Sequence, residues 1–508
     1  MLLIDGVSLT LEDLSPFLLA DPPQVVLTEE AVSEMKRSRA VVDEVISRGD
    51  VVYGINTGFG KLSHQTIDEG MLQLLQRNLV LSHAVGVGEP LSDDVVRIAM
   101  LLRANALSRG YSGIRVEVVN LLLACLNKGV LPVLPSQGSV GASGDLAPLS
   151  HMAILLIGEG EATFEGEVLP GGDALKRAGL KPIVLEAKEG LALINGTQVS
   201  TAIGAAALIR ARRLMLLANL GCAMTLEALQ GSVRPFDVRV GEIRGHPGHL
   251  WVASHIRALL SGSDVVESHA NCDRIQDQYS LRCVPQVHGA AHDAIEHVTD
   301  VLRREITAVT DNPLIFPDDG DIISAGNFHA EPVAMVFDYA AIAVAELASI
   351  SERRLENLVN PDLSRLPAFL SPEPGINSGF MITQVTAAAL VSENKGLCHP
   401  ACVDSIPTSA NKEDHVSMAP IAARQFAQVV ENTSHVLAIE ILAALQGMGL
   451  STDLTPGVGV RAARDHLSPH VPPIVEDRFL KNDMQTVRHL MDDGSLLAAV
   501  QNAISDQA

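Results

Sequence analysis

Apolar residues recur every three to four positions over most of this chain, and the segments that carry them run too long for strands. From Glu29 to Arg48, Val32, Met35, Val41, Val42, Val45 and Ile46 fall at roughly helical spacing, which predicts an amphipathic helix. Segments near 71–82, 93–109 and 114–127 continue that period. The first dozen residues differ: 2–4 and 7–11 flank Asp5-Gly6 and read as a short hairpin, and 130–134 reads as extended. Together these predict a smaller N-terminal mixed α/β domain over 1–111.

Beyond residue 111 the pattern changes to long alanine- and leucine-rich stretches broken by polar loops. The stretches 199–229, 287–305, 332–357, 385–394 and 419–447 are mostly too long and too evenly apolar for strands. Pro332 suits a helix first turn, where its missing N–H costs nothing. Helices this apolar need partners on more than one face. The expected fold is mainly α: an elongated helical bundle over 112–508, with loops at helix ends and a smaller C-terminal helical part. Within that part, 452–468 and 482–494 read as polar connections.

Composition narrows the chemistry. The 508 residues exceed the usual single-core size, and 47% are hydrophobic but only 3% aromatic, so aliphatic and alanine packing must fill the core. A net charge of −23 argues against nucleic acid, which requires basic patches. Six cysteines, Cys125, Cys222, Cys272, Cys283, Cys398 and Cys402, occur without a Cys-x-x-Cys pair and read as reduced thiols, with a cytoplasmic location as the natural compartment. The start, Met-Leu-Leu-Ile-Asp-Gly, lacks the basic and apolar regions of a signal peptide. Apolar stretches without charge, such as 214–226, fall short of the ~20 residues of a membrane span, so no membrane segment is expected.

The most informative local string is 138–151, Gly-Ser-Val-Gly-Ala-Ser-Gly-Asp-Leu-Ala-Pro-Leu-Ser-His. Within it, Ala142-Ser143-Gly144 is able to cyclise. The Gly144 nitrogen attacks the Ala142 carbonyl in a tight turn that glycine tolerates, and loss of two waters leaves an exocyclic methylene on an imidazolone. That product is an electron sink, which chains otherwise borrow as a cofactor. Asp145 stands beside it to take or give protons. The same string also fits a glycine-rich turn. A phosphate loop is weak because no Gly-Lys-Ser/Thr follows, and a hydrolase elbow is weak because Gly-x-Ser-x-Gly is not matched.

Further blocks accompany the tripeptide in order. They are Tyr53-Gly-Ile-Asn-Thr-Gly-Phe-Gly60, Ser82-His83-Ala-Val-Gly, Asn195-Gly-Thr-Gln198, Gln276-Asp-Gln-Tyr279-Ser-Leu-Arg282-Cys, Gly326-Asn-Phe328-His-Ala-Glu331-Pro and Glu413-Asp-His-Val-Ser-Met418. Spanning 53–418, they resemble the aromatic amino acid ammonia-lyases, and most closely the members that convert L-histidine to trans-urocanate and ammonia.

The resemblance implies a self-made methylidene-imidazolone (MIO) from Ala142, Ser143 and Gly144, with no external cofactor. It implies a homotetramer whose active sites are shared between subunits. Tyr53 corresponds to the base at the substrate β-carbon, and Gly54 and Gly58 would let its loop move. An unperturbed phenol ionises near ~10, so this role calls for a depressed pKa. Tyr279 corresponds to the tyrosine that stabilises the bound intermediate, and Arg282 offers a planar fork for the substrate carboxylate. Asn195 and Gln276 correspond to donors around the imidazolone, with Phe328 packing on its ring. Gln278 departs from the proline or alanine often found there, which bears on loop stiffness alone.

His83 and Glu413 are the side-chain contacts by the same resemblance. An imidazole and a carboxylate suit a substrate ring with N–H donors and acceptors, whereas a phenyl ring would leave Glu413 unpaired. Relatives acting on phenylalanine generally carry an apolar residue and Gln at these positions, and tyrosine lyases and aminomutases share most other motifs. Two readings of another class stand beside this one. A metal-dependent hydrolase would use His288 and His292, spaced i, i+4, or the Cys398-His399 and Cys402 cluster, but His-Glu-x-x-His fails and no second ligand half is present. A non-catalytic helical scaffold would carry no prosthetic group.

Overall fold

Thr28, Gly49 and a stripe of inward residues show how the first long helix is made. In the computed structural model, which describes residues 1–270 and 275–506, helix Glu29–Arg48 begins where the Thr28 side chain accepts from Ala31 N and ends at a left-handed Gly49. Ala31, Met35, Ser38 and Val42 are buried along one face. The described residues are 61% helical and 7% strand, a mainly α fold as the apolar period requires. It divides into two compact units, Met1–Ile209 with Val298–Asp338 and Pro400–Ala427, and Arg210–His297 with Tyr339–His399 and Gln428–Ala508. The division falls inside four long helices, Gln198–Ala228, Val284–Glu305, Glu331–Val359 and Ala419–Ser451.

Among the described residues, the first unit carries all the short strands. Leu2–Ile4 pairs in parallel with Val25–Leu27, so the expected N-terminal hairpin does not form. Local side chains divert the chain: Asp5 Oδ1 accepts from Val7 N and Ser8 N, both at 2.8 Å, and Thr10 with Asp13 forms a capping box that starts helix Leu11–Leu14. The expected extended segment near 130–134 supplies strand Leu131–Pro132, which pairs with Glu161–Phe164 in a three-stranded antiparallel sheet closed by Glu167–Pro170. A core of Val42, Ile55, Leu72, Ala187 and Ile315 anchors the segment that follows Tyr53.

The second unit is helical. Two of its helices occupy stretches expected as polar connections: Val458–Leu467 lies within 452–468, and Leu480–Asp492 covers most of 482–494. Both are strongly amphipathic. Val458, Val460, Ala463 and Leu467 face inward on one, and Val487, Leu490 and Met491 on the other, while charges crowd the opposite faces and mask the period.

A buried ion pair holds this unit. Arg354 and Glu440 are both fully buried, with Nε to Oε1 at 2.5 Å and Nη2 to Oε2 at 2.7 Å, and Thr225 donates to the same carboxylate at 2.9 Å. His288 lies beside it, its Nδ1 2.8 Å from Asn219 Oδ1, and burial with the Arg354 charge keeps it neutral. His292 stacks on Trp251 at 4.4 Å between centroids. The histidines of the metal alternative thus have packing partners, and among the described residues no group of three or more metal-type ligands is assembled.

Two helices exceed the apolar length expected from sequence. Glu331–Val359 and Ala419–Ser451 are long and apolar enough to cross a membrane, with mean hydropathies of 1.8 and 1.3, but their apolar windows are 67% and 78% buried within the protein, as core helices are. The described cysteines are free thiols, and burial pushes Cys125 and Cys222 up to about 12; Cys272 lies outside the described residues.

Arg354→Met is expected to lower stability by about 3–5 kcal/mol by leaving Glu440 buried and unpaired, and Arg354→Met/Glu440→Leu by much less. Denaturant midpoints of the two variants check this, and equal losses would show that the carboxylate is not stranded.

Candidate active site

Two backbone segments of the first unit hold the tripeptide in place. Gly144 bridges Gly196 in a parallel pairing, and Asp145 N donates to Gly196 O at 2.7 Å. Gly144 has φ +72°, and a Cβ there would lie 2.1 Å from Gly196 O, so only glycine fits. On the other side, Ser417 Oγ donates to Gly141 O at 2.9 Å and Met418 N to Val140 O at 2.8 Å. Ala142 packs with Val416 and Met418 in a small apolar cluster.

Asp145, expected to exchange protons with the tripeptide, has its side-chain hydrogen bonds with Ser200. Its carboxylate is fully buried and engaged by Ser200, from the backbone N at 2.7 Å and Oγ at 2.5 Å, at the start of helix Gln198–Ala228. Burial raises its pKa to about 6 despite these bonds. Asp145 therefore ties the tripeptide loop to a helix N-terminus, where a carboxylate is favoured.

Asn195 and Glu413 make the direct contacts. Asn195 Nδ2 donates to the Ser143 carbonyl at 2.9 Å, while its Oδ1 is buried without a partner. Ser143 Oγ donates to Glu413 Oε1 at 2.8 Å, and Thr408 Oγ1 donates to Glu413 Oε2 at 2.7 Å. The loop presenting Glu413 is strained: Ser409, Ala410 and Asn411 all have left-handed φ, as has Met418. Such residues tend to gather at functional sites, each at a cost of about 1–3 kcal/mol.

A cavity of about 1420 Å³ in this unit is lined by Tyr53, His83, Ala142, Ser143, Asn195, Phe328 and Glu413. His83 ends helix Leu72–His83, and its Nδ1 lies 2.8 Å from Leu79 O, a contact in which Nδ1 donates. Gly54, expected as a hinge beside Tyr53, is instead a packing glycine: it has φ +77°, and a Cβ would lie 2.7 Å from Pro313 Cδ and 2.9 Å from Leu191 Cδ2. Gly58 is likewise closed in, 2.6 Å from Leu62 O at the Cβ position.

Tyr53 departs from the expected electrostatics. Burial raises its pKa, and the charge of Glu413 raises it further, with a backbone hydrogen bond from Gly60 opposing both. In the single chain the group is a neutral phenol, not a depressed one.

Gln276, Tyr279 and Arg282 do not line this cavity; they belong to the second unit. Gln276 is exposed and Tyr279 is 70% exposed, with the Arg282 guanidinium 4.5 Å from its ring centroid. Arg282 Nε is buried without a partner.

Known proteins are similar to this chain over almost its full length. Residues 9–469 match the aromatic amino acid lyase family along nearly the whole chain. The chain belongs to the aromatic amino acid lyase family. It is 55% identical over 504 residues to the histidine ammonia-lyase of Anaeromyxobacter sp. (strain K), covering 97% of this chain and 99% of that protein. Among solved structures it is similar to the histidine ammonia-lyase of Trypanosoma cruzi, at 43% identity and TM-score 0.92 over 99% of this chain and 95% of that one. It is also similar to the tyrosine aminomutase of Streptomyces globisporus, at 34% identity and TM-score 0.94 over 99% and 98%.

In this lyase-family chain, sequence reasoning missed the groups behind the site. Arg103 is fully buried, its Nη1 2.6 Å from Gln198 Oε1, and it backs Gly196 so closely that a Cβ would lie 2.3 Å away. Burial lowers its pKa to about 10, against the pull of Asp311 and Asp145. Lys188 and Asp311 form a second buried pair at 2.7 Å. Arg103 had one legible signal, a lone cation inside the apolar run Ile98–Leu107; Lys188, Ser200 and Thr408 had none.

In protein carrying Arg282→Met, which leaves no arginine at 282 to enter the cavity of any copy, ultraviolet difference titration should find one tyrosine, lost on adding Tyr53→Phe, ionising above the ordinary phenol range. Glu413→Gln should move that transition down by removing the charge that opposes the phenolate. A Tyr53 transition at or below the ordinary value would contradict the burial argument.

Proposed function

We propose that the chain is a histidine ammonia-lyase, eliminating ammonia from L-histidine to give trans-urocanate as the first step of histidine breakdown in the cytoplasm. The observation that carries this reading is the Glu413 carboxylate beside Ser143 in the same cavity as His83. A carboxylate acceptor and an imidazole are matched by an imidazole or imidazolium substrate ring and left unsatisfied by a phenyl ring. Relatives named for this activity at 51–55% identity over nearly the full chain support it.

Members of the family use a self-formed MIO. The residues here suit such a group: Gly144 admits no side chain, the Ser143 carbonyl is held by Asn195, and Asn195 Oδ1 is an orphaned buried acceptor. The group supplies an electrophilic methylene that activates the substrate. Asn195 stabilises negative charge gathering on the Ser143 carbonyl oxygen. Glu413 and His83 orient the imidazole ring, and Tyr53 takes the β-proton as the Cα–N bond breaks and the Cα–Cβ double bond forms.

Two features argue for a site shared between copies in a homotetramer. The cavity is larger than the ~300–1000 Å³ that small ligands usually occupy, leaving room for further side chains. Tyr279 stands exposed with Arg282 stacked on it, a cation and a phenol offered outward. Arg282 entering the cavity of a second copy would bind the substrate carboxylate and favour the Tyr53 phenolate that burial and Glu413 oppose.

Purified protein given L-histidine should produce urocanate absorbance, with L-tyrosine and L-phenylalanine run in parallel. Coumarate from tyrosine without urocanate, or β-tyrosine as an aminomutase would give, would overturn the histidine reading. Ser143→Ala should fold and lose nearly all turnover, and full activity in it would refute the self-made electrophile.

Coexpressed Ser143→Ala and Arg282→Met chains should give mixed tetramers more active than either variant alone. No recovery in verified mixed tetramers would refute the shared site.

A further inference from the structure

The proton chemistry that forms the electrophile lacks an obvious agent once Asp145 is tied to Ser200. Removing the Ser143 hydroxyl is demanding because hydroxide is a poor leaving group and must depart as water. Asp145, fully buried, gives its oxygens to Ser200 N and Oγ at 2.7 and 2.5 Å. Glu413 instead touches the departing group: Ser143 Oγ lies 2.8 Å from Oε1. Thr408 occupies the other oxygen at 2.7 Å, leaving Oε1 aimed at Ser143. The placement is rigid, because the segment carrying Glu413 is bonded to the tripeptide loop through Ser417 to Gly141 O and Met418 N to Val140 O.

Resting on the reading above that Ala142-Ser143-Gly144 cyclises and dehydrates, we propose that Glu413 acts twice, first as the acid that removes the Ser143 hydroxyl and only then as the substrate-ring contact. In the first role the Ser143 Cα–H and Cβ–O bonds break and the Cα–Cβ double bond forms. The Glu413 carboxylate, which accepts from Ser143 Oγ at rest, first takes a proton from solvent onto Oε1; the hydroxyl then leaves as water with that proton, the Cα proton passes to solvent, and Glu413 is a carboxylate again. Asn195, donating to the Ser143 carbonyl at 2.9 Å, acidifies that Cα–H by drawing charge toward the oxygen. Once the hydroxyl has gone, Oε1 has lost its partner and faces the cavity free to accept an imidazole N–H. Maturation thereby prepares the specificity contact.

The test is the mass of the peptide containing 142–144, taken from purified full-length protein at matched times after synthesis. Wild type should be two waters lighter than its sequence. In Glu413→Gln, which keeps the shape but delivers no proton, the doubly dehydrated fraction should fall at least tenfold, with unmodified or one-water-lighter peptide accumulating. Glu413→Asp should mature further than Glu413→Gln. Circular dichroism and the thermal midpoint establish that each variant is folded. Full maturation of Glu413→Gln at the wild-type rate would overturn the proposal, as would equal immaturity of the Gln and Asp variants in folded protein, which marks a packing role. A wild-type peptide at its unmodified mass would instead sink the self-made electrophile itself, and this inference with it.

Discussion

Close approach of two backbones, Gly144 against Gly196, is the constraint on which the site depends. There is no space for a side chain at Gly144, and the next residue, Asp145, bonds back through its own N–H to the Gly196 carbonyl. The Asp145 carboxylate then reaches over to the first turn of helix Gln198–Ala228. One fully buried carboxylate thus fixes the exit of the reactive turn to a helix N-terminus, where backbone N–H groups compensate part of its desolvation. The geometry of the tripeptide follows from this clamp and from the 416–418 segment on its other side.

Charge behind the clamp is balanced, not absent. Arg103 and Lys188 are both buried, and Asp145 and Asp311 are their counterparts. A buried ion set of this kind contributes little net stability, but breaking one member would strand the others. Its service is to hold the 195–198 block from behind, so that Asn195 meets the Ser143 carbonyl. Strain collects on the opposite wall, where three successive left-handed residues turn the loop that presents Glu413.

The electrostatics of Tyr53 point beyond the single chain. Burial and Glu413 both oppose its ionisation, and although Lys61 and Lys412 line the same cavity they do not offset that opposition, so a base at this position calls for a further cation. On the second unit, the half-buried Arg282, stacked on the exposed Tyr279, is a group of that kind. In the proposed shared site, the same carboxylate that suits an imidazole ring would thus call for a cation from a second copy.

How much was legible in the sequence differs by feature. The 3.6-residue apolar period is a local property, so the helix Glu29–Arg48 and the long apolar helices could be read directly, and the reactive turn, Asn195 and Glu413 could be nominated from their chemistry and order. Helix Leu480–Asp492 escaped because its charged face outweighs three inward residues in composition, and the first hairpin was lost to Asp5 and Thr10, whose side chains redirect the backbone. What each nominated group does was decided only by the fold. Asp145 is bonded to a helix start because Ser200 is folded onto it, Gly54 is a packing glycine because Pro313 and Leu191 close around it, and Tyr53 is a neutral phenol because it is buried and Glu413 is brought near. The sequence by itself determined the element types and the inventory of reactive groups, since both reside in local pattern and residue chemistry. Tertiary structure alone decided their partners and ionisation, because hydrogen bonding, burial and charge proximity arise between residues that the chain separates by up to hundreds of positions.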